Sequence, residues 1–134
     1  MLLVDLFVAK SNLHGLGVFT KNAIKKGDLV WIVHPLIDIK IQEDDIADLP
    51  DHVKKRIRCH TEYHPAGRYF ILSADGDSWM NHADVPNIDD RGREMFAARD
   101  ICAGEEMTID YRKIVILDFY DDFEISNTLS RISV

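Results

Sequence analysis

The sequence predicts a mostly β domain with minor α structure, in which short strands surround one clear central helix. Two observations predict this class. Short runs of β-branched, aromatic or alternating apolar residues recur along the chain, and a pattern of strand, glycine turn and second strand occurs twice. Such runs are typical of half-buried strands. The length of 134 residues matches one domain, and a chain of this size buries enough surface for a core without cross-links.

The segments with strand composition begin near the N-terminus and continue past the middle of the chain. They are residues 2–9, 29–33, 36–41, 69–72 and 94–98. In the first segment Asp5 interrupts a short apolar run, and no basic residue precedes that run. This pattern argues against a signal peptide or a membrane span. We therefore interpret residues 2–9 as the first strand.

The repeated pattern relates residues 19–32 (FTKNAIKKGDLVWI) to residues 96–109 (FAARDICAGEEMTI), which align without a gap. The matched positions are Phe19 with Phe96, Ile24 with Ile101, Gly27 with Gly104, Asp28 with Glu105 and Ile32 with Ile109. Each copy has a strand, an isoleucine anchor, a glycine that permits a tight turn, and a second strand. We expect two equivalent corners of a compact β fold.

A single segment has the helical period. Its apolar face consists of Ile46, Leu49, Val53 and Ile57, and Lys54, Lys55, Arg56 and Arg58 lie mostly off that face. Asp48 is the candidate N-cap, and Pro50 and Asp51 suit the first helical turn. The sequence therefore predicts one central helix.

Charge and cysteine content narrow the functional classes. A formal net charge of -7 argues against direct binding to nucleic acid, which normally requires a basic face. The same charge suits a basic partner such as a Lys-rich peptide, although acidity also serves solubility alone. Cys59 and Cys102 are too few for a disulfide framework and indicate a reduced, intracellular protein that is not secreted.

Three motifs carry the candidate chemistry. His14-Gly15-Leu16-Gly17 places a Gly-x-Gly step after the first strand, but it lacks the third glycine of a dinucleotide-binding fingerprint. Asn81-His82 precedes Pro86-Asn87. The third motif is Gly-Glu-Glu-Met-Thr-Ile-Asp-Tyr at residues 104–111. Each motif alone is most often structural, so their order along the chain is the informative feature.

In this order the three motifs resemble the SET-domain family of protein lysine methyltransferases, from about residue 5 to residue 111. The resemblance implies a β-clip-like SET fold, with short strands in several small sheets and a knot-like crossing near the C-terminus. It further implies a single SET domain over residues 1–134. The core of this domain would span residues 5–111, and the tail, residues 112–134, would pack near the substrate channel.

The resemblance also implies a cofactor and a reaction. S-adenosylmethionine would be bound by Gly15, Leu16, Gly17, Asn81 and His82 and leave as S-adenosylhomocysteine. Tyr111 would be the catalytic tyrosine. The substrate would be a lysine side chain of a basic protein, with histones a candidate by family analogy. The location would be the cytoplasm, or the nucleus in a eukaryote.

The sequence departs from the family pattern in three places. Ala83 and Asp84 replace a Ser-Cys pair, and residues 112–134 contain no cysteine, so we expect no structural zinc and no other metal. Ile109 occupies a position that is often aromatic and influences how many methyl groups are added. We expect the substrate channel to be lined by Ile109, Phe119, Tyr120 and Phe123.

Two other functions remain compatible with these residues. A non-catalytic SET-like module would hold a partner or the cofactor without transferring a methyl group. The other is a small β-clip domain that binds a carbohydrate or another ligand, because residues 23–28 resemble such domains too. That second alternative does not account for the Asn-His and Asp-Tyr motifs.

Overall fold

A computed structural model describes residues 1–114 of the chain. Within this range the fold has ten strands, two α-helices and three short 3-10 helices. The strands are β1 (Leu6–Lys10), β2 (Leu16–Thr20), β3 (Leu29–Ile32), β4 (Asp38–Gln42), β5 (Glu62–His64), β6 (Tyr69–Ser73), β7 (Asn81–His82), β8 (Ile88–Asp90), β9 (Glu94–Ala97) and β10 (Glu106–Ile109). The α-helices are α1 (Asp51–His60) and α2 (Tyr111–Ile114), and the 3-10 helices are Glu43–Ile46, Pro65–Gly67 and Asp77–Trp79.

The strands form small sheets, as the sequence predicts. Their orders are β1-β2-β10-β7, β3-β9-β8 and β4-β6-β5. Neighbouring strands in these sheets are antiparallel except for β7 and β10, which are parallel. The prediction of a mostly β fold with few helices is confirmed. The knot-like crossing would involve the β7–β10 region and stays a prediction.

The two repeated segments exchange strands. β2 and β9 begin the first and second copies, and β3 and β10 end them. β2 pairs with β10, and β3 pairs with β9. At the centre, Ile24 and Ile101 donate their amide N–H groups to each other's carbonyl oxygen, with N···O distances of 2.9 and 2.8 Å. The two isoleucine anchors of the sequence pattern are therefore direct partners.

The two glycine turns are equivalent as well. Gly27 and Gly104 have φ angles of 87° and 81°, a region that L side chains rarely adopt. The Gly27 amide donates to the Ala97 carbonyl at 2.8 Å, and the Gly104 amide donates to the Thr20 carbonyl at 2.7 Å. Thr20 and Ala97 are matched positions in the two copies, so the contacts are reciprocal. The expectation of two equivalent corners is confirmed.

The main hydrophobic core lies between these two copies. Its buried side chains come from β2, β3, β8, β9 and β10, from the two isoleucine anchors and from the residue before β7: Val18, Ile24, Val30, Trp31, Met80, Ile88, Met95, Ala97, Ile101, Met107 and Ile109. Burial of this apolar surface is the main term that stabilises a domain of this size.

The central helix begins later than the sequence predicts. α1 starts at Asp51, and Pro50 precedes it with extended backbone at φ -55° and ψ 145°. The predicted N-cap at Asp48 is therefore wrong, and so is the placement of Pro50 in the first turn. A proline disfavours helical backbone in the residue before it, so Ile46 belongs to a separate 3-10 helix. In residues 1–114 no helix is long and apolar enough to cross a membrane.

Strand composition located the central strands more accurately than the first one. The predicted strands at 29–33, 69–72 and 94–98 agree with β3, β6 and β9 to within one residue at each end. The predicted strand at 2–9 forms only as β1, and Leu2 instead makes an isolated bridge to Trp31. The short strands β5, β7 and β8 were not predicted, since two or three residues are too few to give an alternating pattern.

A carboxyl group that is 14% exposed lies in the β4-β6-β5 sheet. Burial raises the pKa of Glu62 to about 8, and the nearby Asp90 and Asp77 carboxylates act in the same direction. Burial also lowers the pKa of His64, whose Nε2 lies 3.4 Å from Glu62 Oε1. Both shifts favour the neutral forms near neutral pH, so this contact is a neutral pair and not a salt bridge.

We predict that Glu62 makes the free energy of unfolding fall as pH rises from about 4.5 to about 8. In that range the folded protein keeps a proton that the unfolded chain has released, whereas below it both states are protonated. Glu62→Gln removes this contribution. The free energy of unfolding of the variant, relative to that of the wild type, should therefore rise by more than about 1 kcal/mol from pH 5 to pH 8. Denaturant titrations at the two pH values measure the difference.

Glu94→Gln is the matched control, because it removes the same charge at an exposed position. It should leave the pH dependence of the unfolding free energy unchanged. Equal pH dependence in the wild type and in Glu62→Gln would show that Glu62 is ionised in the folded protein, contrary to this prediction.

Candidate active site

Asn81 connects two of the three sequence motifs. It is buried in β7, opposite Thr108 of β10. Its Nδ2 lies 2.9 Å from the carbonyl oxygens of His14 and Leu16, and 2.8 Å from Oε1 of Glu106. One amide group, with two N–H hydrogens, therefore faces three acceptors. This contact holds the Gly-x-Gly segment against the β7–β10 pair.

Glu106 is a site residue that the sequence did not single out. Ser11 Oγ lies 2.9 and 2.8 Å from its two carboxylate oxygens, so the serine hydroxyl donates to this group. Ser11 Oγ in turn accepts the amide N–H of Leu13 at 2.8 Å. In the sequence, Glu106 is only the second glutamate of the third motif. Its contact with Asn81 follows from the pairing of β10 with β7.

The two glycines of the Gly-x-Gly step have different roles. Gly15 is exposed with φ of 50°, and an added Cβ there would meet open space. Gly17 is buried, and a Cβ at this position would overlap the Glu106 carboxylate. Gly15 therefore supplies an unusual backbone conformation, whereas Gly17 permits a close approach. Leu16, between them, is 45% exposed.

Asn87, from the Pro-Asn step, fixes the other part of β10. Its side-chain oxygen accepts the amide N–H of Thr108 at 2.8 Å, and its Nδ2 donates to the carbonyl oxygen of Glu106 at 2.8 Å. The Asn87 amide N–H also donates to Thr108 Oγ1 at 3.2 Å. A buried asparagine thus supplies the backbone pairing that a longer neighbouring strand would otherwise provide.

His82 holds the backbone of the predicted catalytic tyrosine. The Tyr111 amide N–H donates to His82 Nδ1 at 3.1 Å, so Nδ1 carries no proton and the hydrogen is on Nε2. Nε2 lies 3.3 Å from Asp84 Oδ1. The His82 side chain is 5% exposed, and the centres of the His82 and Tyr111 rings are 5.6 Å apart. The imidazole is therefore a fixed acceptor at the start of α2.

The side chain of Tyr111 is held at its other end. Its hydroxyl donates to the carbonyl oxygen of Met80 at 2.6 Å, and its ring packs against the main core. Asp110, just before it, accepts the amide N–H of Arg112 at 3.0 Å and two contacts from the guanidinium at 2.8 and 3.0 Å. The hydrogen bond from Arg112 lowers the pKa of Asp110.

The residues predicted to line the substrate channel are not part of this cluster of contacts. Ile109 is 5% exposed and belongs to the main core, so its contribution to a channel stays a prediction. Phe119, Tyr120 and Phe123 lie outside the described residues. Between residues 1 and 114 no group of three or more His, Cys, Asp or Glu side chains is arranged to hold a metal ion.

Comparison with known families agrees with this geometry. The SET-domain family model matches residues 15–112, which include all three motifs. The chain belongs to the SET-domain family. No curated protein matches this SET domain by sequence.

Solved structures of SET proteins have the same fold. A Plasmodium falciparum protein described as a candidate histone methyltransferase is 24% identical with a TM-score of 0.56, over 81% of this chain and 93% of that one. A humanized Chaetomium thermophilum Polycomb Repressive Complex 2, bound to the inhibitor GSK126, is 20% identical with a TM-score of 0.63, over 84% of this chain and 15% of that one. Neurospora DIM-5, a histone lysine methyltransferase, is 20% identical with a TM-score of 0.55, over 81% of this chain and 52% of that one. At these identities the likeness is one of fold.

We predict that Gly17→Ala destabilises this SET domain by roughly 1–3 kcal/mol, because the new methyl group displaces the Glu106 carboxylate from Asn81. The matched change Glu106→Asp shortens the side chain that would be overlapped. In the double variant the two costs should therefore be less than additive. Chemical denaturation of the four proteins in this cycle measures the coupling, and strictly additive costs would contradict the close approach.

Proposed function

We propose that this SET domain transfers a methyl group from S-adenosylmethionine to a lysine side chain of a protein. The observation that supports this most directly is the convergence of three motifs on one strand pair. Asn81 contacts the Gly-x-Gly carbonyl groups, while His82 and Met80 hold the two ends of Tyr111. Structural neighbours described as histone methyltransferases support the same reaction class by analogy of fold.

The residues around Asn81 fit the methionine end of the cofactor. Nδ2 of Asn81 is engaged by His14, Leu16 and Glu106, but its Oδ1 accepts no hydrogen bond within residues 1–114. A carbonyl oxygen without a protein donor suits an ammonium donor. Gly15 and Leu16 are exposed, and the absence of a side chain at Gly15 allows a ligand to approach the backbone closely. Gly17 would contribute indirectly, through the position of Glu106.

When bound, S-adenosylmethionine supplies a methyl group activated by a sulfonium charge. The protein then has to orient a lysine amine and keep it neutral, since an unperturbed lysine has a pKa of about 10.4. Apolar surroundings favour the neutral amine, and the core residues that pack against Tyr111 would provide them. Positioning of this kind lowers barriers by several kcal/mol, up to about 11.

Tyr111 would act on the amine through its hydroxyl oxygen. Because the hydroxyl donates its proton to the Met80 carbonyl, its oxygen is oriented to accept a hydrogen bond from the substrate amine. An oxygen with this polarity also stabilises the positive charge that develops as the amine is methylated. No metal is required for this step.

The proposal extends to the domain, the substrate class and the location. We propose a single SET domain over residues 1–134, with its core in residues 5–111. A net charge of -7 favours a basic, Lys-rich protein as substrate, and an intracellular location supplies both the cofactor and such proteins. Incubation with radiolabelled S-adenosylmethionine and a mixture of Lys-rich proteins that includes histones tests the reaction. Binding without transfer would indicate the non-catalytic module instead.

Asn81→Ala should weaken the binding of S-adenosylmethionine by about 1–3 kcal/mol, the scale of a lost hydrogen bond to a charged group. Calorimetry on protein whose fold is verified by circular dichroism measures this affinity. Asn22→Ala, at an exposed position outside the three motifs, should leave it unchanged. Unchanged affinity in a folded Asn81→Ala variant would remove Asn81 from the cofactor site.

Tyr111→Phe removes one hydroxyl group with little change in volume. We expect kcat to fall by more than about tenfold, or about 1.4 kcal/mol of barrier, while cofactor affinity changes little. Tyr63→Phe is the matched control, because the Tyr63 hydroxyl donates to Glu43, away from the three motifs. Near-normal turnover in Tyr111→Phe would mean that Tyr111 only packs against the core.

A further inference from the structure

A cavity lies outside the candidate active site. It has a volume of about 370 Å³ and is bordered by the first glycine turn, by β8 and β9, and by α2. We call it the basic pocket and define it by the residues Lys26, Pro86, Asp89, Arg91, Phe96 and Lys113. None of the residues assigned to the cofactor or to catalysis lines it.

The charge of the basic pocket is opposite to that of the whole chain. Three cationic side chains and one carboxylate line it, which gives a net charge of +2 in a protein of net charge -7. Asp89 is shared between Arg91 Nε at 3.0 Å and Lys113 Nζ at 3.3 Å. Within residues 1–114 the Lys26 ammonium has no carboxylate partner. Lys26 is therefore the cation available to an anionic ligand.

One wall of the basic pocket is apolar. The Phe96 ring lies 4.5 Å below the guanidinium carbon of Arg91, a cation–π contact that fixes both groups. Pro86 and the buried Ile88 continue this wall. A ligand that fills the pocket therefore needs an apolar part beside its negative charge.

We propose that the basic pocket docks an acidic segment of a partner protein. A glutamate or aspartate of that segment pairs with Lys26, and an adjacent apolar side chain lies on Pro86 and Phe96. A singly charged carboxylate suits the site better than a phosphate, because Asp89 repels a dianion more strongly and the apolar wall offers phosphate nothing. This docking does not depend on methyl transfer.

The basic pocket and the candidate active site share the helix α2. Lys113 belongs to α2, the helix that begins at Tyr111. Through Lys113, the Asp89 carboxylate connects α2 to β8. A partner bound at this pocket would therefore lie against the same short helix that carries the proposed catalytic tyrosine.

The test is a titration of the isotope-labelled full chain followed by amide NMR spectra. The probe is a capped synthetic hexapeptide that alternates glutamate and leucine, and its control replaces each glutamate by glutamine. The glutamate peptide should shift the amide signals of Gly27, Ala97 and Ala98, which also line the cavity, in a saturable manner. It should bind more weakly as salt is raised from about 50 to about 500 mM.

Two lysine variants separate the pocket from general charge attraction. Lys26→Gln should weaken the glutamate peptide by about fivefold, the upper range for an accessible ion pair. Lys25→Gln removes the same charge one residue away, outside the cavity lining, and should weaken binding less than about twofold. Equal effects of the two variants, equal binding of the glutamine peptide, or unshifted pocket amides would overturn the proposal. If inorganic phosphate binds saturably and more tightly than the glutamate peptide does, the assignment of a carboxylate as the ligand is overturned.

Discussion

The reciprocal backbone pairing of Ile24 with Ile101 is the interaction on which the rest of the fold depends. These residues hold the two copies of the repeated segment together, and each copy donates its second strand to the other. Neither hairpin could bury its apolar residues alone, since isolated hairpins are at best marginally stable in water. With the strands exchanged, the anchors and the strands that flank them enclose one common core.

The candidate active site follows from this exchange. β10 ends the second copy but lies between β2 of the first copy and β7. Gly17 of β2 and Glu106 of β10 are thereby brought into contact, and Asn81 reaches both the Glu106 carboxylate and the Leu16 carbonyl group. Buried polar groups of this kind are costly unless each is paired. The hydrogen bonds that Asn81 donates therefore hold together segments that are far apart in the sequence.

Much of this architecture could be predicted from the sequence, because it rests on local patterns. The repeat alone predicted that Ile24 and Ile101, and Gly27 and Gly104, occupy equivalent positions. The start of α1 was misplaced because apolar periodicity continues across Pro50, which divides the segment. Contacts between remote polar residues, such as Ser11 with Glu106, leave no periodic signal. They arise only from the strand order, and the same is true of the basic pocket.

The residues Met80, Asn81 and His82, at the start of β7, make three different contacts that fix the register of this strand. Met80 accepts the Tyr111 hydroxyl, Asn81 contacts the Gly-x-Gly segment, and His82 accepts the Tyr111 amide N–H. Successive side chains of a strand point to opposite faces, so Met80 enters the core while Asn81 faces its polar partners. A shift of one residue would exchange these faces. It would bury the asparagine without partners and break both attachments of Tyr111, so the pairing of β7 with β10 sets the geometry of the whole site.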